Sequence, residues 1–382
     1  MKALMLAFLS VWATTCWAEF TPIKTEVAIS GDSQITETVW RAGVAPGGSY
    51  DQIQVHRYHK PGKSSAVLLY LPGTNQNGEI ALTDEDHNLW VYLANRGVDV
   101  YTLDYRTHAI PSEGVVDPAF ARHWTLDRFV EDAELAAELA RKTSARQKLF
   151  VAGFSRGVTY AYALVSRSAQ SSIAGLIALD GSFKQYREQP WQGYEGALKA
   201  LTDSGRYISD LAGRRGWENR HQLMMQTYSD SSAAALDPKY ATIGEQLTET
   251  LYNAWGPGVL ANPKDGVSRV EVLALLLDGY DRYFPTIQGL QGRALAAQNN
   301  DPRTTVDDTW GSFEIPIIYF GSSGMNAEFL LSGIYSASHS GSGKVSIHVL
   351  EDYGHLDVLV GEQAREEVYD PIHNWIRANS QQ

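Results

Sequence analysis

One serine in this chain of 382 residues is set in a pattern that suits a nucleophile. Ser155 lies in Gly153-Phe154-Ser155-Arg156-Gly157, between the apolar run Lys148 to Ala152 and the helix-like run Val158 to Leu164. A G-x-S-x-G sequence between strand and helix predicts a turn so tight that the serine backbone is strained and its Oγ stands above the sheet. Glycine is expected on both sides because a Cβ at either place would clash across the turn. The backbone N–H of Arg156, opening the helix, can face a developing oxyanion. A serine needs a base, and of the 10 histidines His355 has the positional claim. It follows the apolar run Val345 to Leu350 in Glu351-Asp352-Tyr353-Gly354-His355, where Gly354 is expected to turn the loop so that the imidazole points back at the sheet. His348 reads as part of a strand and His373 as part of the last helix; the others have no claim.

These groups have to be positioned by a sheet. Lys24 to Ile29, Thr36 to Trp40 and Gln52 to Tyr58 read as strands. Ala66 to Leu71 is a continuous apolar run, as a central parallel strand requires. Leu89 to Asn95 reads as a helix closed by Gly97, and Val98 to Leu103 as the next strand. Thr125 to Lys142 carries Leu126, Phe129, Val130, Ala133, Ala136, Ala137 and Ala140 at helical spacing, with Thr125 as N-cap. Ile173 to Leu179 is another strand. The strand pattern then stops until Ile315 to Phe320 and Val345 to Leu350. Asp370-Pro371 reads as N-cap and first residue of a final helix. Strands alternating with helices predict an α/β fold, a mostly parallel sheet with helices on both faces.

The elbow after the fifth core strand, the Leu71-Pro72-Gly73-Thr74 loop and the Gly354-His355 pair, in this order, resemble the α/β-hydrolase superfamily. The resemblance covers about residues 50–181 and 313–378. His355-Leu356-Asp357 is similar to the same stretch of acid lipases, and Leu179-Asp180-Gly181 to that of pancreatic-type lipases. The resemblance implies a second oxyanion donor in the loop after the third core strand. Where the family usually has His-Gly, this chain has Pro72-Gly73, so Thr74 is the implied donor, with Asn75 second. It also implies a triad acid. Most members carry an Asp shortly after the seventh strand, but Phe320-Gly321-Ser322-Ser323-Gly324-Met325 has none, and Glu328 is the nearest acid there. The other place the superfamily uses is the end of the sixth strand, where Asp180 stands. Asp180 starts directly at the strand's carboxyl edge and is favoured over Glu328, whose longer chain is costlier to fix. Asp352 and Asp357 are too close to His355 in the chain.

The resemblance further implies that residues 182–312 form a mainly helical cap between the two parts of the core, 19–181 and 313–382. Its aromatics, among them Trp191, Tyr194, Trp217, Trp255 and Tyr280, are enough to line a pocket, though most are expected in the cap's own core. At the other end of the chain, Lys2, the apolar run Ala3 to Ala13 and the small residue Ala18 read as a secretory signal, residues 1–18, removed near Ala18. The expected location is periplasmic or extracellular. Cys16 is the one cysteine, so the mature chain has no disulfide. A net charge of −12 argues against nucleic-acid partners, and no later run is long enough to span a bilayer. No metal-ligand spacing or phosphate-cradling loop appears, so no cofactor or metal is expected. The resemblance implies an exported serine hydrolase of small-molecule or lipid-like carboxylic esters. The alternatives are an amide or peptide hydrolase with the same triad, or a non-catalytic binding module.

Overall fold

The computed structural model describes residues 18–30, 33–62, 64–79, 84–114, 116–187, 190–211 and 213–380. The secretory-signal reading of residues 1–17 lies outside the described residues. The strands are β1 (Thr21–Ser30), β2 (Ser33–Gly43), β3 (Gln52–His59), β4 (Ala66–Leu71), β5 (Val98–Asp104), β6 (Leu149–Phe154), β7 (Ile173–Leu179), β8 (Ile208–Asp210), β9 (Tyr283–Pro285), β10 (Ile317–Ser322) and β11 (Val345–Leu350). Nine of them form one sheet in the order β1-β2-β3-β5-β4-β6-β7-β10-β11. The β1, β2, β3 and β5 pairings are antiparallel, and every pairing from β5 to β11 is parallel.

The helices are α1 (Leu89–Asn95), α2 (Leu126–Ser144), α3 (Arg156–Arg167), α4 (Tyr194–Ser204), α5 (Gly213–Ser229), α6 (Ile243–Asn253), α7 (Val270–Asp278), α8 (Thr286–Leu295), α9 (Ala327–Ser338), α10 (Asp357–Val360) and α11 (Asp370–Asn379). They cover both faces of the sheet, which explains the unbroken apolar runs of the central strands. Along β4, Val67, Leu69 and Leu71 enter one core with α2 and α3, while Leu68 and Tyr70 enter the other with α1 and α11. A strand buried on both sides has no polar face to alternate with. Thr125 caps α2 as expected, accepting from Arg128 N at 3.3 Å.

Three expectations need correction. The stretch after Leu179 is not free of strands: β8 and β9 pair antiparallel within it, each three residues long and too short to show a period. Ile315 and Pro316 precede β10, which instead runs on to Ser322; Pro316 has no N–H to give a ladder. Asp370 is not an N-cap, because a wide helical turn at Arg365–Tyr369 leads straight into α11. Its carboxylate instead accepts from the Tyr92 hydroxyl on α1.

The inserted stretch between β7 and β10 is mainly helical, and its two ends are fastened into the core. Phe183, Leu295 and Val306 join the same apolar cluster as α3. Lys184 and Asp307, both fully buried, form an ion pair at 2.5 Å, and Lys184 also donates to the carbonyls of Leu295 and Asn299. Buried charges persist only when paired and hydrogen-bonded in this way.

Candidate active site

Ser155 closes β6 and opens α3 with φ 55° and ψ −121°, a conformation that a non-glycine residue adopts only under strain. Its N–H is held by the Leu179 carbonyl at 3.0 Å. The flanking glycines are there for space: a Cβ on Gly153 would overlap the Gly157 carbonyl, and one on Gly157 the Leu71 carbonyl at the end of β4. This strand-to-helix turn therefore has one backbone solution. The serine hydroxyl stands at the carboxyl edge of the sheet, and the first N–H of α3, that of Arg156, has no acceptor within the helix.

β7 and β10 are neighbours, and the carboxylate that meets His355 stands at the end of the first of them. Asp180 follows β7 with a positive φ of 42° and is fully buried. Its N–H donates to Phe320 O at 2.8 Å, which ties it to β10. Its carboxylate accepts three bonds: Ser322 N at 2.8 Å, Ser322 Oγ at 2.8 Å and His355 Nδ1 at 2.6 Å. With Nδ1 donating to a carboxylate, Nε2 is the ring nitrogen left as an acceptor. The imidazole stacks on Phe154 at 4.6 Å and meets Phe329 edge-on at 6.0 Å. Glu328 does not reach this ring; it is exposed in the first turn of α9. Ser322 was not foreseen. It stands in the stretch that was read only for its missing acid, and it supplies two donors to an acid from the neighbouring strand.

The loop carrying His355 is docked on the insertion. His355 N donates to Val259 O and Leu356 N to Leu260 O, both at 2.8 Å. Asp357, fully buried, gathers Gly354 N, Asn262 N and Ser268 Oγ within 2.8 Å. Burial pushes its carboxyl up from the ordinary range. Gly354 has a steric role in this loop. Its φ is not positive; what it provides is close approach, since a Cβ there would crowd Gly258 O and Ala261.

The loop after β4 is clamped in the same way. Gly73 N donates to Gln76 Oε1 at 2.9 Å, and Gln76 Nε2 to the Tyr280 hydroxyl at 2.8 Å. Asn75 and Asp281 exchange bonds, Asp281 N to Asn75 O at 2.6 Å and Asn75 Nδ2 to Asp281 O at 2.9 Å. Asn77 Nδ2 reaches Asp281 Oδ1 at 3.0 Å, and Gly78 N reaches Asp104 Oδ1 at 2.6 Å. Asn75 takes a positive φ, and Thr74 lies at the turn between these clamps, facing the serine's cavity. Asp281 also pairs with His108 at 2.9 Å. Burial opposes charge on His108, but Asp281 and Asp104 override it and raise its pKa to about 10. Of the clamp residues Gly73, Asn75 and Tyr280 carry a sequence expectation, though none as a clamp, and the sequence gives no local sign of the rest; Asn75-Gln76-Asn77 is a polar run that could have raised the question.

Ser155, His355 and Thr74 open onto one cavity of about 1090 Å³. Aliphatic groups dominate it, including Leu223, Met224, Leu251, Leu260, Leu277 and Leu356. Of the insertion's aromatics, Trp255 and Tyr280 are the ones that line it; Tyr194, Tyr283 and Phe284 are buried elsewhere. No cluster of three potential metal ligands occurs among the described residues, and no described helix is long and apolar enough to cross a membrane.

Similarity to known proteins runs in the same direction. The model of the serine aminopeptidase, S33 family matches residues 77–233, less than half of the chain; this span holds Ser155 and Asp180 and stops short of His355. Among solved structures, a candidate lipase from Sulfolobus solfataricus superposes with a TM-score of 0.76 at 24% identity, covering 94% of this chain and 99% of that one. DcsB, solved in complex with its substrate analogue, gives a TM-score of 0.51 at 15% identity over 90% of this chain and 98% of its own. No curated protein sequence matches the chain. At these identities the likeness is one of fold, and the strand order with its β6 elbow gives the chain the α/β-hydrolase fold.

Proposed function

We propose that the chain is a serine hydrolase of carboxylic esters. The observation that carries this reading is the Asp180–His355 contact at the mouth of the apolar cavity that also exposes Ser155. Ser155 Oγ attacks the ester carbonyl while His355 Nε2 takes its proton. Asp180 keeps the other ring nitrogen protonated and stabilises the imidazolium. The N–H groups of Thr74 and Arg156 receive the oxyanion. The tetrahedral adduct collapses to an acyl-enzyme, the alcohol leaving with the proton from His355. Water, deprotonated by the same imidazole, then releases the acid and restores the serine.

Amide or peptide hydrolysis uses the same groups. The cavity lining favours esters: among the described lining residues Asp237 is the one carboxylate, whereas holding the ammonium of a peptide N-terminus calls for acids. Export belongs to the same proposal, resting on Lys2, the Ala3 to Ala13 run and Ala18; a mature N-terminus upstream of Glu19 would contradict it.

The test is a fluorophosphonate probe together with a short-chain ester assay. Wild type is expected to be labelled on Ser155. Ser155→Ala is expected to lose labelling and to lose turnover by on the order of 10⁵-fold or more, with an unchanged circular dichroism spectrum. Absence of labelling in folded wild type would favour the non-catalytic binding module instead.

A further inference from the structure

A second, smaller cavity of about 250 Å³ also reaches Ser155 and Thr74, from the α3 and α8 side. Its character is the opposite of the first. Arg156 and Arg293 line it, with Thr159, Ser182 and Gln185, and no carboxylate belongs to its described lining. In a chain with 44 acidic and 32 basic residues, an acid-free pocket with two guanidinium groups is the reverse of the average surface.

The shape of α8 makes the room. Gly289, Gly292 and Arg293 lie on one face of that helix, at spacings of three and four residues. A Cβ on Gly292 would overlap the Arg156 guanidinium, so the glycine allows this side chain to lie against α8 inside the pocket. Among the described residues neither arginine has an ion pair or a hydrogen-bonded acceptor for its guanidinium. Arg293 is held instead by its flat face, 4.4 Å from the Trp191 ring, which leaves its N–H edge unengaged. An arginine stacked in this way keeps its planar fork available for a carboxylate or phosphate.

We propose that this pocket binds an anionic arm of the substrate. The preferred ester, on the reading above, would then have two unlike sides flanking the scissile carbonyl: a hydrocarbon side in the large cavity and a short carboxylate- or phosphate-bearing side between Arg156 and Arg293. This rests on the ester-hydrolase reading for its chemistry and on the two arginines for its selectivity. A guanidinium fork holds the carboxylate alike in the ground state and the transition state, so the preference appears mainly in KM.

Four esters test it, in two pairs that place a carboxylate or its isopropyl isostere on the alcohol or the acyl side. Octanoylglycolate is compared with isobutyl octanoate, and octyl hydrogen succinate with octyl 4-methylpentanoate. In wild type, one anionic ester is expected to exceed its neutral partner in kcat/KM by about tenfold, with the advantage falling as salt is added. Which pair shows it tells whether the arm is on the alcohol or the acyl side. In Arg156→Gln and Arg293→Gln the anionic-to-neutral ratio is expected to fall about tenfold relative to wild type; differences in intrinsic reactivity cancel in that comparison. Ratios equal in wild type and both variants, with all esters hydrolysed, overturn the anion site and leave the hydrolase reading intact. If wild type hydrolyses none of the four, the ester reading fails. Calorimetric binding of the two anionic compounds then still decides the pocket, equal affinity in wild type and both variants overturning it.

Discussion

Asp180 accepts three hydrogen bonds in a place with no access to water, two from Ser322 and one from His355. A buried carboxylate is tolerated when its lone pairs are filled in this way, and a neutral amide at the same place would turn an N–H₂ toward at least one donor. Asp180→Asn is therefore expected to hold the wrong imidazole tautomer and lower turnover by on the order of 10⁴-fold. Glu328→Gln, at an exposed position on α9, is expected to change it less than about twofold. Steady-state rates on a short-chain ester, with folding checked by circular dichroism, decide; the reverse order of effects would make Glu328 the acid. At this scale the meeting of Ser155, His355 and Asp180 at one sheet edge was legible because each directly follows an apolar strand run or the loop after one. Ser322 was not, because a serine at a strand end has no sequence signature that separates a carboxylate's partner from an ordinary polar residue.

Between elements, the informative contact is the one joining the base loop to the insertion. Asp357 accepts from Gly354 N, Asn262 N and Ser268 Oγ, and so fastens residues 262–268 to the turn that presents His355. Asp357→Asn removes an acceptor from a buried cluster of donors and is expected to cost about 2 kcal/mol of stability. It should also lower kcat, since the imidazole loses its fixed height. Thermal unfolding and kcat both unchanged would show that the clasp bears no load. The strands themselves were readable: burial on both faces gives unbroken apolar runs, as in β4, β6 and β7. The clasp was not. It pairs irregular segments far apart in the chain, and irregular backbone carries no periodicity to read. Nor could the sequence reveal that Gly354 is a glycine for close approach, since the segment it approaches is identified only by the fold.

For the whole molecule, the insertion is less separable than its place between β7 and β10 suggested. It holds the base loop through Val259 and Leu260 and the Thr74 loop through Asp281. A second bonded group, under β2, β3 and β5, gives the molecule a pH signature. His56 lies buried between Glu37 at 2.8 Å and Asp104 at 2.9 Å, and Glu37 also accepts from Lys24 and Tyr58. Burial alone would keep His56 neutral, but the charge and hydrogen bond of Asp104, with Glu37, raise its pKa to about 9 from 6.5. Its contribution to stability is whole below about pH 6.5 and is lost as pH rises toward about 9. Glu37 runs the other way. Burial would raise it, yet bonds from His56, Lys24 and Tyr58 hold it at about 2 against 4.5, so its contribution is lost as pH falls below about 4.5. The unfolding temperature is expected to drop on the order of 5 °C between pH 6.5 and 9, with His108, raised to about 10, acting in the same direction, and His56→Gln is expected to make that limb shallower. Equal slopes in the two proteins would remove His56 as the cause.

The docking of His355 on residues 259–260 also fixes an order in time. During synthesis the receiving segment leaves the ribosome long before the base loop does, and the loop has nothing to rest on unless the insertion has already taken shape. Ser155 and its strained turn are laid down far earlier in the chain, whereas Asp180 waits for Phe320 and Ser322 to complete its hydrogen bonds. On the ester-hydrolase reading, a nascent or C-terminally clipped molecule would hold Ser155 without His355, and turnover would begin only when the last strand and its loop have been laid down.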